Sequence, residues 1–596
     1  MCGYIGKISL EQIDKENIYG SNKRIICRGP DDKNFINFNL NQFNCSFIFN
    51  RLSILDLSAS ANQPMESHSK LSIIMFNGEI YNHDYLRDKL KKTGQHFKTK
   101  NSDTEVILNG LEHFGVDFVK ELRGQFSIVY LNKKLKKLYF IRDRVGQKPL
   151  FYSWDNKSIS FSSNLISTAE ISNNISINEK SVNEYLECGV VPSPNTFYKN
   201  VYKLLPSEII EIDLSTTTLQ ISKNKYWDPI DFLAEKEFDE DEFLSIFSDS
   251  VKMRTKADVE VANFISGGID SSAIAKNLHE NNISINSFSV ALNNSIYDES
   301  KWSQEVAKTY QTKHNQVDID IDISFDNVMS IISQLDEPYA DPSVVPSYIL
   351  SKEISNKFKV AISGDGGDEL LGGYLRIANS LKNKNKLKNI TSYLYNIYPA
   401  FLGTGSNLLK NSNDIGKAYA SYLYDEKFMN LLGEGSIKET VEKNINSLRM
   451  SEYKKLIYSE FKFFLPEMMM LKVDRTSMAN SLEVRSPFVD HKLIEYIFSH
   501  NTSYADFKEP KAILKKYLSS DFSASFLNRK KMGFVFDVQK FIFSNLEIIH
   551  DYLEDGYVEK NYKNIFNILS INKTRINSLR IWRILVLENF IKQREF

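Results

Sequence analysis

VEVANFISGGIDSSAIAKNLHE, residues Val259–Glu280, is where the pattern of this chain changes. An apolar run fit for a buried strand ends in a glycine turn, Ser266-Gly267-Gly268, and a helical stretch follows. The arrangement recurs at FKVAISGDGGDEL (Phe358–Leu370). Between the two, SINSFSVAL (Ser284–Leu292) is another β-run, followed by the helical SKWSQEVAKTY (Ser300–Tyr310). Strands alternating with helices predict a parallel sheet and an α/β domain. Beyond residue 375 the chain reads as mostly helical, with no internal repeat.

Upstream the texture differs. In FNCSFIFNR, Phe43, Cys45, Phe47 and Phe49 share one face at period two. LSIIMFNGEIYN reads as a strand running into a turn, QFSIVYLNKKLKKLYFIRDR as a hairpin pair, and DTEVILNGLEHFG as a helix. This is a β-rich α+β domain. A polar, acidic stretch near residues 228–242 reads as a linker. The predicted division is residues 1–215, a linker over 216–240, and 241–596.

The bulk figures fit a multidomain globular protein. The chain has 596 residues, 42% hydrophobic and 25% charged, with a formal net charge of −1. That balance gives no reason to expect nucleic acid or an anionic membrane as partner, and the basic run KNKNKLKN reads as solvated surface. No apolar stretch reaches the roughly 18 residues of a membrane span. The start has no basic region followed by an apolar run, so no signal peptide is expected. Four cysteines without metal-like spacing argue against a disulfide framework and for a reducing cytoplasm.

The loop SGGIDSS (Ser266–Ser272) suits an anion. Glycines let the backbone approach, and helix-start amides with the hydroxyls of Ser266, Ser271 and Ser272 can donate to phosphate oxygens. It lacks the GK[ST] ending of a Walker loop. The plain alternative is a Gly-Gly turn capped by Asp270 or Ser271. SGDGGDE (Ser363–Glu369) groups Asp365, Asp368 and Glu369 at a strand end, where open α/β sheets bind ligands. Together with Asp270 these suit Mg²⁺ on a polyphosphate. Lys511 and Lys531 are more often surface lysines, though a fold can bring either to the phosphates.

At the other end stands MCG. Once Met1 is removed, Cys2 carries a thiol beside a free α-amine. The amine's reference pKa of about 7.7–8.0 lets it accept the thiol proton. A cysteine at position 2 is weak evidence alone.

SGGIDSS, LDEPYADPS (Leu335–Ser343), SGDGGDELLGGY (Ser363–Tyr374), VDRTSMANSLEVRSPFVDH (Val473–His491) and RKKMGF (Arg529–Phe534) together resemble the synthetase domain of glutamine-hydrolysing asparagine synthetases, an N-type ATP pyrophosphatase. RGPDD (Arg28–Asp32), NRLSILD (Asn50–Asp56), FNGEIYNH (Phe76–His83), NSDTEV (Asn101–Val106) and RDRVGQKPLFY (Arg142–Tyr152) resemble a class II glutamine amidotransferase. The resemblance implies an Ntn-hydrolase-type αββα sandwich followed by the pyrophosphatase sheet with its helical C-terminal part. It implies that Ser266, Gly267, Gly268, Asp270, Ser271 and Ser272 cradle pyrophosphate and that Ile265, Val290, Ser363 and Gly364 contact ATP. Asp270 and Asp368 would hold Mg²⁺, Asp365 would serve acyl-adenylate formation, and Lys511 would stabilise the reacting phosphate.

In the first domain Cys2 would be the nucleophile, and Asn77 (side chain) with Gly78 (amide) the oxyanion donors. Asp103 and Glu79 would take the substrate ammonium and Arg51 its carboxylate. Plain alternatives are an Asn77-Gly78 turn, a surface ion pair at Arg51, a helix cap at Ser102–Glu105, and a salt bridge rather than substrate contact at Arg485. Cys27 stands where the family usually has His. Cys45 reads as a core thiol.

The implied reaction amidates a carboxylate using glutamine and ATP, with a sheltered ammonia path between the domains. Aspartate and other carboxylates, such as a uronic acid of a surface polysaccharide, stay open as acceptors, and so does a homodimer. A non-catalytic glutamine or nucleotide sensor and a stand-alone glutaminase are the readings from other classes; the intact motifs count against both.

Overall fold

The computed structural model describes residues 2–284, 286–292, 298–319, 323–382, 414–435, 437–502, 509–529 and 536–594. Met1, nearly all of the basic run KNKNKLKN, Lys531 and the rest of RKKMGF after Arg529 lie outside the described residues.

Two six-stranded sheets build the first domain. One has the order β10(Tyr202–Lys203), β8(Phe151–Trp154), β9(Ser158–Ser162), β1(Gly3–Ser9), β3(Phe43–Arg51), β2(Asp32–Leu40). The other runs β12(Gln220–Lys225), β11(Glu208–Asp213), β7(Lys137–Arg142), β6(Gly124–Asn132), β5(Ser72–Ile80), β4(Met65–Glu66). Neighbouring strands are antiparallel where their register is defined, as in Gly3↔Asn50 and Gly78↔Phe126.

The period-two face of β3 does what its spacing predicts. Phe43, Cys45, Phe47 and Phe49 meet Tyr4 and Phe161 of their own sheet, and Met75, Val129 and Phe140 of the facing sheet, in one buried core. Each such fully buried aromatic is worth about 1.5–3 kcal/mol of transfer free energy. Helices cover both outer faces. Ile18, Ile25 and Ile171 pack on Ile5 and Ile48, and Leu86, Leu90, Val106 and Leu111 pack on Ile74, Phe76 and Ile128. The result is the αββα layering.

The stretch after β12 is short and docked: Trp227 Nε1 donates to Glu495 Oε1 at 3.0 Å. The helix Glu240–Arg254 then begins, capped by Asp239, whose carboxylate accepts from the amides of Asp241 and Glu242.

The second domain holds a five-stranded sheet of order β15(Lys313–Ile319), β14(Asn286–Leu292), β13(Val261–Phe264), β16(Val360–Ile362), β17(Glu483–Arg485), every neighbour parallel. The chain steps outward from β13 to β15, then returns to the other side of β13. The order therefore reverses between β13 and β16, the place where open parallel sheets present their ligand crevice. The C-terminal part is helical, as expected. Its last helix, Arg575–Lys592, shares a core with Tyr185, Leu186 and Phe197 of the first domain through Trp582, Ile584 and Phe590. Where the domains meet, a cavity of about 620 Å³ is lined by residues that include Arg144, Trp227, Tyr458 and Arg583.

Candidate active site

At the β13–β16 reversal the two glycine loops interlock. The first leaves β13 and enters the helix Ile269–Glu280, whose start at Gly268 has no side-chain cap, so the capped-turn alternative fails for Asp270. The loop is braced internally: the Ser266 amide donates to Ser271 Oγ at 3.2 Å, and Ser271 Oγ donates to the Gly268 carbonyl at 3.1 Å. Gly267 has φ +70°, and a Cβ there would press on Trp302 at 2.6 Å. Ser272 is fully buried and its hydroxyl has no hydrogen-bond partner, a donor left over in the loop. Ile265 is buried beneath, its amide donating to the Phe288 carbonyl at 2.8 Å, while Val290 lies on the adjacent β14.

The second loop leaves β16. Ser363 Oγ donates to Asp365 Oδ2 at 2.7 Å. A Cβ on Gly364 would stand 3.0 Å from Asp270 Cβ, so the loops touch. Lys511 comes from far along the chain, buried, with φ +58°, an uncommon conformation for a residue with a side chain. Its ammonium contacts the carboxylate of Asp270 and lies 2.5 Å from Asp368 Oδ1. Burial opposes that charge, but the two carboxylates outweigh it and hold Lys511 above the ordinary lysine range.

Two aspartates from different loops thus converge on one cation. Among the described residues no group of three or more His, Cys, Asp or Glu forms a metal centre. Two carboxylates suffice for Mg²⁺, which draws its remaining ligands from phosphate and water. The donor set fits.

Glu369, grouped with Asp365 and Asp368 in the sequence, is buried beside Asp368 here. Burial, then neighbouring Asp368, push its carboxyl up to about 7. Its Oε1 accepts from Tyr374 Oη at 2.7 Å, and its Oε2 is buried without a partner. The Arg376 guanidinium lies over the rings of Tyr374 and Phe464 at 3.8 and 3.9 Å and pairs with Glu460. Arg529, the described residue of RKKMGF, donates to the Gly267 carbonyl at 2.6 Å and pairs with Glu299. The contacts of Arg376 with Glu460 and Phe464, and of Arg529 with Gly267 and Glu299, carry no sequence signal, because those partners lie far apart in the chain.

In the first domain, the Cys2 amide donates to Asn77 Oδ1 at 3.0 Å. That leaves Asn77 Nδ2, which is buried with no partner: an aimed, unused donor. The turn alternative for Asn77-Gly78 does not hold, since both lie within β5, paired with Ser127 and Phe126. Gly78 is required there. Its φ is +153°, and a Cβ would overlap the Gln125 carbonyl oxygen. Burial pushes the Cys2 thiol up, while the amino-terminal charge, the Leu52 amide and Arg51 pull it down.

Arg51 is buried, not a surface ion pair. Its Nη1 donates to the Ser58 carbonyl at 2.9 Å and Asn62 Oδ1 at 2.7 Å, and Nη2 to the Leu55 carbonyl at 3.2 Å, so the guanidinium is fixed by its own loop. Ser102 stands at the start of the helix without a side-chain cap bond, and Asp103 Oδ2 accepts from the Ile80 amide at 3.0 Å, next to Glu79. Cys27 is exposed. Cys45 is a core thiol, as read. Arg485 makes salt bridges, to Glu483 and Glu79.

Behind Cys2 the domains are tied by charge. Arg28 Nε donates to the Cys2 carbonyl at 3.2 Å, and its two terminal nitrogens reach Asp474 at 2.8 and 3.1 Å. Burial works against ionisation of Asp474, yet Arg28 and Lys148 prevail and hold it well below the usual carboxylate range.

Comparison with known proteins agrees with this geometry. Residues 242–573 match the family described as Asparagine synthase, and residues 1–227 match Glutamine amidotransferase domain. The chain is 29% identical to "Asparagine synthetase [glutamine-hydrolyzing] 1" of Bacillus subtilis (strain 168), over 98% of this chain and 96% of that one. It is 32% identical to "Putative asparagine synthetase [glutamine-hydrolyzing] 2" of Methanocaldococcus jannaschii, over 78% of this chain and 92% of that one. With more than half its length matched, the chain belongs to the asparagine synthase family.

Proposed function

We propose that this enzyme amidates aspartate to asparagine, taking nitrogen from glutamine and energy from ATP. The observation that carries it is the unused Asn77 donor beside Cys2, in one chain with two interlocked anion loops. Cys2, freed of Met1, passes its thiol proton to its own amine and attacks the glutamine amide. Asn77 Nδ2 and the Gly78 amide receive the developing oxyanion, which is worth about 3–4 kcal/mol per donor in comparable sites. Ammonia leaves, and water releases glutamate from the thioester. Asp103 and Glu79 take the ammonium of glutamine, and Arg51 its carboxylate.

At the second site the acceptor carboxylate attacks the α-phosphate of ATP and pyrophosphate departs. Ser266, Gly267, Gly268, Asp270, Ser271 and Ser272 receive the pyrophosphate; Ile265, Val290, Ser363 and Gly364 hold the nucleotide. Asp365 orients the acyl-adenylate, and Lys511 faces the reacting phosphate. Asp270 and Asp368 would hold Mg²⁺, which supplies charge neutralisation to the leaving group. Ammonia then displaces AMP. No helix among the described residues is long and apolar enough to cross a membrane, and we place the reaction in the cytoplasm, where a free Cys2 thiol persists.

The test is product analysis by mass spectrometry with amide-¹⁵N glutamine, Mg-ATP and aspartate. Labelled asparagine with AMP and pyrophosphate is expected. Glutamate and ammonia with ATP untouched would overturn aspartate as acceptor and move the search to uronic acids and other carboxylates.

A further inference from the structure

Arg485 sits in LEVRSPF, outside every role assigned above. It is fully buried at the end of β17, in the second domain. Nε donates to Glu483 Oε1 at 2.6 Å, and Nη1 to the carbonyls of Arg254 at 3.0 Å and Lys256 at 2.7 Å. Three contacts from its own domain lock the guanidinium. The remaining nitrogen, Nη2, crosses the domain boundary and stands 3.2 Å from Glu79 Oε2. The Tyr81 ring lies 5.5 Å from the guanidinium.

Glu79 follows Gly78 directly in β5. Its other oxygen, Oε1, is buried without a hydrogen-bond partner. One oxygen is thus held from behind by a rigid cation, and the other is an acceptor awaiting a donor. The ammonium of glutamine is such a donor.

We propose that Arg485 is a positioning residue of the glutamine pocket, fixing the Glu79 carboxylate across the domain boundary so that its free oxygen receives the substrate ammonium. The pocket of the first domain is therefore completed by the second. This rests on the glutaminase reading given above.

Four charges bear on Glu79. Arg485 and Glu483 face it from β17 and Asp103 from the helix Asp103–Phe114, and the amino-terminal charge acts on it as well. Burial pushes Glu79 well above the ordinary carboxylate range, Arg485 pulls against it, and Asp103 and Glu483 add to the push. Glutamine binding then weakens as pH falls and Glu79 takes up a proton. Removing Arg485 raises Glu79 further, so the weakening begins at higher pH.

The experiment follows glutamate release by the full-length protein against glutamine concentration and pH. The variants are Arg485→Met, Arg485→Lys, Glu79→Gln and the double Glu79→Gln/Arg485→Met. Arg485→Met is expected to raise the glutamine KM about tenfold, with kcat changed much less. It should move the acid limb of kcat/KM to higher pH, and Arg485→Lys should recover part of both. The double variant should fall far short of the product of the single effects, because both remove the same contact. An acid limb that stays in place, or single effects that multiply, would overturn the proposal. Should Arg485→Met fail to fold, Arg485→Lys and Glu79→Gln decide: Glu79→Gln removes the group whose protonation sets the acid limb, so the limb should move to lower pH, and an unmoved limb in either variant counts against the proposal. A native enzyme that releases no glutamate would instead overturn the glutaminase reading.

Discussion

Cys2 and Asn77 could each be singled out in the residue string, because a Cys at position 2 and an Asn-Gly within FNGEIYNH are local features, and the fold brings the two together. What the string could not show is that Asn77 spends its oxygen on the Cys2 amide and keeps its nitrogen free. Cys2→Ala is expected to abolish glutamine-dependent synthesis while ammonia-dependent synthesis continues; assays with each nitrogen source check this, and loss of both would refute the division of labour. Glu369 supplies a second residue-scale case. Its carboxyl sits at about 7 when folded against 4.5 ordinarily, so the folded state binds that proton more tightly than the unfolded chain. The favourable contribution is full below 4.5 and is lost as pH rises through about 7. Glu369→Gln, which cannot ionise, should therefore raise the apparent Tm by roughly 3 °C above neutral pH and leave it unchanged in acid. Thermal melts at both pH values check it. Synthesis should fall with either nitrogen source.

Elements were legible in proportion to how regular their patterns are. The period-two face of β3 and the strand–glycine–helix units around β13 and β16 form as their sequences require. The Asn77-Gly78 dipeptide favoured a turn, yet the register of β5 on β6 keeps it in a strand, because Ile73–Phe76 and Ile80 are buried on both sides of it. The loop after the helix Gly367–Leu371 shows how tightly an element guards the second site. A Cβ on Gly373 would overlap Asp368 Oδ1 and Lys511 Cε. Gly373→Ala should lower pyrophosphate release about 100-fold with either nitrogen source, the effect expected when a positioned catalytic group is displaced. Glutamate release should stay near the native rate; equal loss of both activities would mean that the substitution disturbs the whole fold.

At the scale of the molecule, the change of texture at Val259 leads into the parallel sheet at β13, whereas the ties between this part and the antiparallel sheets were not legible. Ion pairs such as Arg28–Asp474, separated by 446 positions, leave no periodic trace. Asp474 is held below the ordinary carboxylate range, so its stabilisation is present above that range and fades as pH falls through it and below. Asp474→Asn leaves Arg28 and Lys148 buried with less compensation and should cost about 3–5 kcal/mol. Denaturant unfolding above and below the carboxylate range checks this: the gap between variant and native protein should narrow in acid. Glutamate release should fall as well, since Arg28 supports the Cys2 carbonyl. The same ion pair gives the order of synthesis a meaning. Arg28, which holds the Cys2 carbonyl, is made early, and its partner Asp474 follows 446 residues later. At about 5–20 residues per second that is a delay of roughly 20–90 s. The Cys2 loop can therefore take its full set of charged contacts only after Asp474 has been made.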